Sequence, residues 1–305
     1  TELVSLLEHP NAWHHETAAR LLYQRQDQAA IGPLVKLAAQ SPSPLGRLHA
    51  LCSLRGLGVL NAEHVRRGLN DKHPRVRAHA IRLSESLIRT SPQTPSPLLS
   101  DLVTLCDDED EHVRFQLAFS FGESTDPQAI AGIARLARDA RSSGEVRTAL
   151  LSSVGQSADR LTVSLLADGD FVMQKRAASV ITQLALIVGA NPKPAPSLRL
   201  LSAATASKLP RPMRQLVLTG LGQGLARRGA SIPGLLADAA ASSPLRDQVA
   251  GLFSNATKLA GDSGQPIGDR EQALRLLAFA DFKTATDHLP RFLSPQVPQS
   301  LQRVA

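Results

Sequence analysis

Three histidines surround the only tryptophan of the chain in the stretch HPNAWHHETAARLL, residues 9–22. Imidazole is a common zinc ligand, so this stretch raises the question of a metal site. His14 and His15 are adjacent, however, and adjacent side chains on a helix diverge by about 100°, which disfavours a shared ion. We therefore expect an ordinary helix here, with Trp13 and Ala18 facing inward and His14 and His15 partly exposed.

Two other stretches have compositions found in ligand sites. The run CDDEDEHVR (106–114) holds five consecutive acidic residues. It can be read as a cation site or as a solvated turn, since acids are favourable at a helix N-terminus. The run GLGQGLARRG (220–229) is rich in glycine. No strand precedes it, as a phosphate-binding loop would require, so we interpret it as part of a helix.

Enzyme signatures such as GxSxG, Walker A and HExxH are absent from the sequence. Cys52 and Cys106 are the only cysteines, stand in apolar helical contexts, and are expected to be buried thiols. There is neither a CxxC nor a CxxCH motif, and no run of 18 apolar residues that would span a membrane. We predict no catalytic residues, no metal and no cofactor.

A short pattern recurs along the chain with a period near thirty residues: an apolar residue, a basic residue and, three further on, a small or apolar residue. The basic place, which we call the anchor, falls at His15, Arg47, Arg77, Arg114, Arg147, Gln174, Arg214 and Arg270, with a poorer example at Arg246. Apolar segments of about three turns separate the anchors. Each is bounded by Pro, Gly, Asn, Asp or Ser, which end helices and form turns.

This alternation predicts a helix A, a turn and a helix B in every repeat. One such pair cannot bury its apolar stripe alone, so pairs stack into a superhelix. We predict a single all-α solenoid over 1–305 with about nine helix pairs, although the helices of 244–268 cannot be phased. Proline-rich loops are expected at 89–97 and 190–197.

An aspartate precedes the anchor by six residues in two repeats, Asp71 before Arg77 and Asp108 before Arg114. It can accept hydrogen bonds from helix-start amides or from the arginine of a neighbouring repeat. We predict that these four residues form a polar ladder between repeats. The spacing, together with V-R-x-x-A/L, resembles HEAT repeats.

The order of the repeat variants supports a closer resemblance. HPNAWHHETAARLLYQRQD, SPLGRLHALCSLRGLG, DEHVRFQLAFSFGE and a final REQALRLLAFADF follow one another. This order resembles the HEAT region of large exported planctomycete and verrucomicrobial proteins, described as membrane-bound dehydrogenases or haem-binding proteins. That resemblance implies a preceding propeller-like region and a following cytochrome c domain. It also implies a periplasmic or exported location, with this chain as a scaffold fragment.

Charge is divided unevenly along the chain. Residues 1–150 hold 17 basic and 17 acidic residues, whereas residues 151–305 hold 17 and 10, which gives the whole net charge of +7. No acid occurs between Asp170 and Asp238. Partner-binding candidates in that interval are Lys175, Arg176, Lys208, Arg211, Arg214, Arg227 and Arg228.

His49 and His79 are further partner-binding candidates, since each lies two residues after an anchor in successive repeats. They can line a contact surface or be half-buried residues of the fold. The leading prediction is a non-catalytic scaffold that docks a protein or flanking domains of the same polypeptide.

The alternatives are nucleic-acid binding through the basic stretch 171–237 and a HEAT-like base-excision glycosylase. Few aromatic residues are available for base stacking, and we find no aromatic-walled pocket with a carboxylate. Acids of adjacent repeats or of another domain can also neutralise the basic interval.

Overall fold

The computed structural model describes residues 2–90, 96–205, 209–238 and 242–305. These parts are all-α and contain no strand. The helices form two compact units, Thr1–Ser153 and Val154–Ala305. Lys208 lies outside the described residues, as does most of the predicted proline-rich loop 89–97.

The first unit is built from helix pairs. Its α-helices are α1 (Glu2–Ser5), α2 (Ala12–Arg25), α3 (Ile31–Gln40), α4 (Pro44–Gly56), α5 (Ala62–Leu69), α6 (Pro74–Arg89), α7 (Pro97–Thr104), α8 (Glu111–Ser120), α9 (Pro127–Arg138) and α10 (Gly144–Ser153). The B helices α4, α6, α8 and α10 pack successively on one another, and α2 packs on α4. The A helices α3, α5, α7 and α9 alternate with them along the chain.

The second unit continues the same alternation. Its α-helices are α11 (Ala158–Leu166), α12 (Gly169–Val172), α13 (Lys175–Ala190), α14 (Pro194–Thr205), α15 (Arg211–Ala226), α16 (Ile232–Asp238), α17 (Ser243–Gly261), α18 (Ile267–Leu277), α19 (Phe282–His288) and α20 (Gln299–Gln302). The B helices α13, α15 and α18 pack in a row, as do the A helices α11, α14 and α17. The region that the sequence could not phase therefore consists of α17 and the start of α18. Arg246, the poorer anchor, lies on an A helix.

Local chemistry at the turns explains why the helices begin where they do. Pro44, Pro74 and Pro127 each open a helix, where the fixed φ of proline is favourable and its missing N–H costs nothing. The preceding residue caps the helix: Ser43 accepts a hydrogen bond from the Gly46 amide, and Asp126 accepts one from the Gln128 amide.

Three expectations about burial are wrong, because Trp13 and Cys52 are exposed and His15 is buried. Trp13 is 67% exposed, because the inward face of α2 is formed by His15, Ala18 and Leu22, and Trp13 lies on the other side of the helix. Cys52 is exposed, whereas Cys106 is buried as expected. Position 52 is the exposed place of that turn of α4, whose buried places are taken by Leu51, Ser53 and Leu54.

The glycine-rich run forms a close contact between two B helices. Gly220 and Gly224 of α15 lie against the backbone of α13, where Gly189 lies against α15 in turn. A Cβ on Gly224 would lie 2.8 Å from the Cα of Gly189, closer than real side chains approach. These glycines therefore let the two backbones touch, and the helical interpretation of this run agrees with the structure.

No helix within the described ranges combines the length and apolar character that crossing a bilayer would require.

Replacement of Gly224 by alanine should destabilise the second unit by about 1–3 kcal/mol, because the added methyl group forces α13 and α15 apart. The matched control is Gly251→Ala in α17, where nothing lies within 4 Å of the added Cβ. That change should stabilise by up to about 1 kcal/mol through helix propensity. Urea unfolding measures both variants, and equal effects would contradict the close contact.

Candidate functional site

Most anchor side chains hydrogen-bond the backbone just before their own helices, whereas Gln174 instead accepts a 2.8 Å hydrogen bond from Arg176. In each of the other cases a side-chain nitrogen donates to a carbonyl at the end of the preceding helix or in the following turn. The donor–acceptor distances are 2.8 Å for Arg47 to Ser41, 2.9 Å for Arg77 to Asp71, 2.9 Å for Arg114 to Glu109, 2.6 Å for Arg147 to Ser142, 2.6 Å for Arg214 to Leu209 and 3.0 Å for Arg270 to Ala260. Such carbonyls have no partner within their helix, so the anchors satisfy them.

His15 has the same role in the first repeat. Its Nδ1 lies 3.0 Å from the carbonyl oxygen of His9, six residues earlier, as Arg47 bonds Ser41. Because a carbonyl only accepts, Nδ1 carries the proton. The histidine-rich opening is therefore the first copy of the repeat, with an imidazole at the place of the guanidinium.

Aspartates join the anchors of successive repeats. Arg47 holds Asp71 by two hydrogen bonds of 2.6 and 2.7 Å, and Arg77 holds Asp108 by two of 2.7 Å. Each acid thus pairs with the arginine of the preceding repeat. The arginine six residues downstream of an acid bonds the backbone carbonyl of that acid instead.

A third pairing is looser and involves an acid that the sequence reading missed. Arg114 Nε lies 3.8 Å from Asp139, whose carboxylate also accepts hydrogen bonds from Arg141. Asp139 precedes its own anchor, Arg147, by eight residues instead of six because the turn is longer. A search that allowed this spacing would have found it.

Burial makes the first pairing the most sensitive to change. The side chains of Arg47 and Asp71 are only 6% and 9% exposed. Burial tends to raise the pKa of Asp71, but hydrogen bonds from Arg47 and the His73 amide outweigh it and lower this pKa. The hydrogen bond to Asp71 raises the pKa of Arg47. Both groups are therefore charged in the folded protein.

The acidic run is occupied by structural contacts. Asp108 binds Arg77, Asp107 binds Arg135, and Asp110 caps α8 by accepting a 2.9 Å hydrogen bond from the His112 amide. In the part of the chain that the structure describes, no group of three His, Cys, Asp or Glu side chains is arranged to hold a metal ion.

His49 and His79 lie on the B helices α4 and α6 and are both half-buried. The His49 ring is 4.5 Å from the His15 ring, between centroids. Burial lowers the pKa of His49, and the neighbouring His15 lowers it further. Burial also lowers the pKa of His79, as do Arg82 and Arg75. These histidines are thus held against the repeat stack and favour the neutral form.

The basic interval is divided between the two ends of a helix pair. Lys175 and Arg176 begin α13, while Arg211 and Arg214 lie in the first turn of α15. Arg227 and Arg228 follow the end of α15. A 16-residue helix is about 24 Å long. The helix therefore separates these residues, and they do not form one cluster.

Acids of the same unit neutralise only some of these cations. Arg199 pairs with the buried Asp159, and Arg211 lies 3.7 Å from Asp269. Exposed Lys175, Lys193 and Arg227 form no ion pair with any described residue. The first unit contains exposed pairs such as Arg66–Asp101 and Arg89–Glu123 and has balanced charge. The second unit therefore presents an excess of positive charge.

No protein-family model matches the chain, and no curated protein matches it. Among solved structures, the chain is similar to the karyopherin Kap121p in its crystal structure bound to the extreme C-terminus of the protein phosphatase Cdc14p. The TM-score is 0.63 at 14% identity, over 99% of this chain and 36% of that chain. At this identity the similarity shows the fold, which is an all-α solenoid of the HEAT type.

Removing a buried anchor should be costly because its acid stays behind unpaired. Arg47→Ala is expected to destabilise by about 3–5 kcal/mol, and Arg114→Ala, with its looser acid, by about 1–3 kcal/mol. The exposed Arg67→Ala, which removes a surface pair with Glu63, should change stability by less than about 1 kcal/mol. An unchanged melting temperature of Arg47→Ala would show that the pairing is not stabilising.

The stabilisation from Asp71 should disappear in acid. Its pKa is lower in the folded protein than in the unfolded chain, where an aspartate titrates at about 3.9. The contribution is therefore complete above that pH and is lost as the pH falls through the folded-state pKa. Urea titrations from about pH 6 downward should show a shallower acid decline for Asp71→Asn than for the parent. Glu63→Gln, at an exposed carboxylate, is the control and should keep the parent slope.

Proposed function

We propose that the chain is a non-catalytic HEAT scaffold that binds a protein through cations of its second unit. The observation that carries this proposal is the set of exposed cations that have no acidic partner among the described residues, Lys175, Lys193 and Arg227. Uncompensated charge of one sign attracts oppositely charged surfaces and raises association rates. The fold supports the same role, because stacked repeats offer extended surfaces for partners.

The setting that we propose is a larger exported protein of the dehydrogenase and haem-binding group, in which the chain docks flanking domains. It is supported by the order of the sequence variants described above. In this setting the redox chemistry belongs to other domains, and this chain positions them. The full reading frame tests the proposal: a CxxCH motif beyond this region supports it, and a frame without any such domain contradicts it.

Nucleic-acid binding is the second candidate, favoured by the same positive charge. Single-stranded nucleic acids are bound through aromatic stacking as well as charge. Among the described residues of the second unit, Phe282 is the only strongly exposed aromatic side chain, and it lies on α19, outside the basic interval. We therefore favour a protein partner.

Reversing exposed charges of the second unit should weaken partner binding and reduce its salt dependence. The variant combines Lys175→Glu, Arg211→Glu and Arg227→Glu. Arg228 is left in place because its Nε donates a 3.0 Å hydrogen bond to the Gly189 carbonyl. The probes are the separately expressed domains that flank this region, measured by interferometry at low and moderate salt, and a duplex DNA of about 20 base pairs.

The control variant makes the same charge change on the first unit, at the exposed Arg20, Arg25 and Lys36. Loss of binding to the protein probes in the first variant alone supports the proposal. Equal affinity and salt slope in both variants would show that the second unit is not the docking surface. Selective loss of DNA binding would favour the second candidate.

A further inference from the structure

A cleft in the second unit brings Arg211, Arg214 and Lys258 together with amide and apolar side chains. It has a volume of about 400 Å³ and lies between the start of α15, the end of α17 and the α17–α18 turn. We call it the α15–α17 cleft. Its polar lining consists of Arg211, Arg214, Gln215, Asn255, Lys258 and Gln265, together with the carboxylate of Asp262.

The positive charges of the cleft are only weakly opposed. Arg211 and Asp269 are 3.7 Å apart at their nearest atoms, which is a loose contact for an arginine and a carboxylate. Lys258 is exposed and pairs with no acid among the described residues. Asp262 is engaged locally, since it accepts hydrogen bonds from the Gly264 amide at 2.9 Å and the Gln265 amide at 3.0 Å.

Gln215 is a second and independent indication of a ligand. It is only 6% exposed and lines the cleft, yet its side chain makes no hydrogen bond to any residue that the structure describes. Its amide oxygen and nitrogen are not among the fully enclosed unpartnered polar atoms, so the amide faces the open cleft and is available to a ligand there. A ligand that enters the cleft and carries an acceptor oxygen would satisfy it.

The remaining wall of the cleft is apolar and includes Leu218, Leu252, Leu259 and Leu276. The volume is at the lower end of the range for ligand pockets and corresponds to one or two side chains. Arginine and lysine bind carboxylates through charge-assisted hydrogen bonds, which are stronger than hydrogen bonds between neutral groups. The occupant that fits is therefore an acidic side chain next to an apolar one.

We propose that the α15–α17 cleft binds an acidic peptide segment of a protein partner. One carboxylate lies between Arg211 and Lys258 and accepts a hydrogen bond from Gln215, and a neighbouring apolar side chain packs on the leucines. This proposal rests on the proposed function and names the part of the surface that recognises the partner. The other end of α15, with Lys193 and Arg227, then contributes only long-range attraction.

The test uses a fluorescein-labelled heptapeptide, Gly-Ser-Leu-Glu-Leu-Glu-Gly, and its copy with both Glu replaced by Gln. Fluorescence anisotropy measures binding to the full chain at low and moderate salt. The Glu peptide should bind, and the Gln peptide should bind about tenfold more weakly or not at all. Absence of binding by the Glu peptide at millimolar protein concentration would overturn the proposal.

Two double variants with the same charge change locate the site. Arg211→Gln with Lys258→Gln alters the cleft, and Lys193→Gln with Arg227→Gln alters exposed cations at the other end of the helices. Only the first should weaken binding of the Glu peptide by about tenfold or more. Equal weakening by both double variants would show that the peptide does not bind in the cleft, but it would not contradict the proposed scaffold function. That function is tested by the binding of the flanking domains.

The variant Gln215→Met distinguishes a loss of peptide binding from a loss of folding. It removes the unpartnered amide and keeps the volume, so the melting temperature should stay the same or rise. The Glu peptide should nevertheless bind more weakly. If Gln215→Met melts as the parent does and binds the peptide equally well, the amide does not contact the ligand and the proposed geometry is wrong.

Discussion

The hydrogen bond from most anchors to the backbone before their own helices is the interaction on which the repeat depends. A helix that ends leaves carbonyls without partners, and a stack of short helices ends many times. In this chain a long basic side chain near the start of most B helices reaches back to such a carbonyl. It fixes the turn and thereby the angle at which the next helix enters the stack. This backbone hydrogen bond is present in repeats whose anchors pair with an aspartate and in repeats whose anchors form no such pair among the described residues.

The two units use different means to join successive B helices. In the first unit, arginine of one repeat binds aspartate of the next, and the helices are held by charge as well as by apolar contact. In the second unit, α13 and α15 lie backbone to backbone over glycines. Dispersion is strong at such close approach and needs no ion pair. Cations such as Lys175, Lys193 and Arg227 therefore take no part in joining these helices and remain exposed on the second unit.

The sequence predicted the helical class because the anchors recur and because apolar periodicity is a strong signal. It could not predict which acid pairs with which arginine. Asp71 lies six residues from Arg77 in sequence, but stacking brings it to Arg47 instead. The repeat pattern predicts Trp13 in the core, but His15 turns inward to bond the His9 carbonyl, and Trp13 therefore lies on the exposed side of α2.

The site could be predicted only in part for a similar reason. A run of bases without acids is visible in the sequence, but the length of α15 separates its two ends. The sequence does not mark Lys258 or Gln215 as site residues, because Lys258 lies outside that run and Gln215 is uncharged. Only folding brings α17 beside the start of α15.

His15 has a consequence for the exchange of repeats. The place of the ladder aspartate in the second repeat, six residues before Arg47, is occupied by Ser41, which donates a 2.5 Å hydrogen bond to Glu8. At the first junction the anchor is His15 and the turn of the next repeat holds Ser41. At the next two junctions the anchor is an arginine that pairs with an aspartate of the following turn. Repeats with both charged partners can replace one another in a recombined chain without leaving a charge buried alone. The first two repeats are matched to each other and have to be moved together.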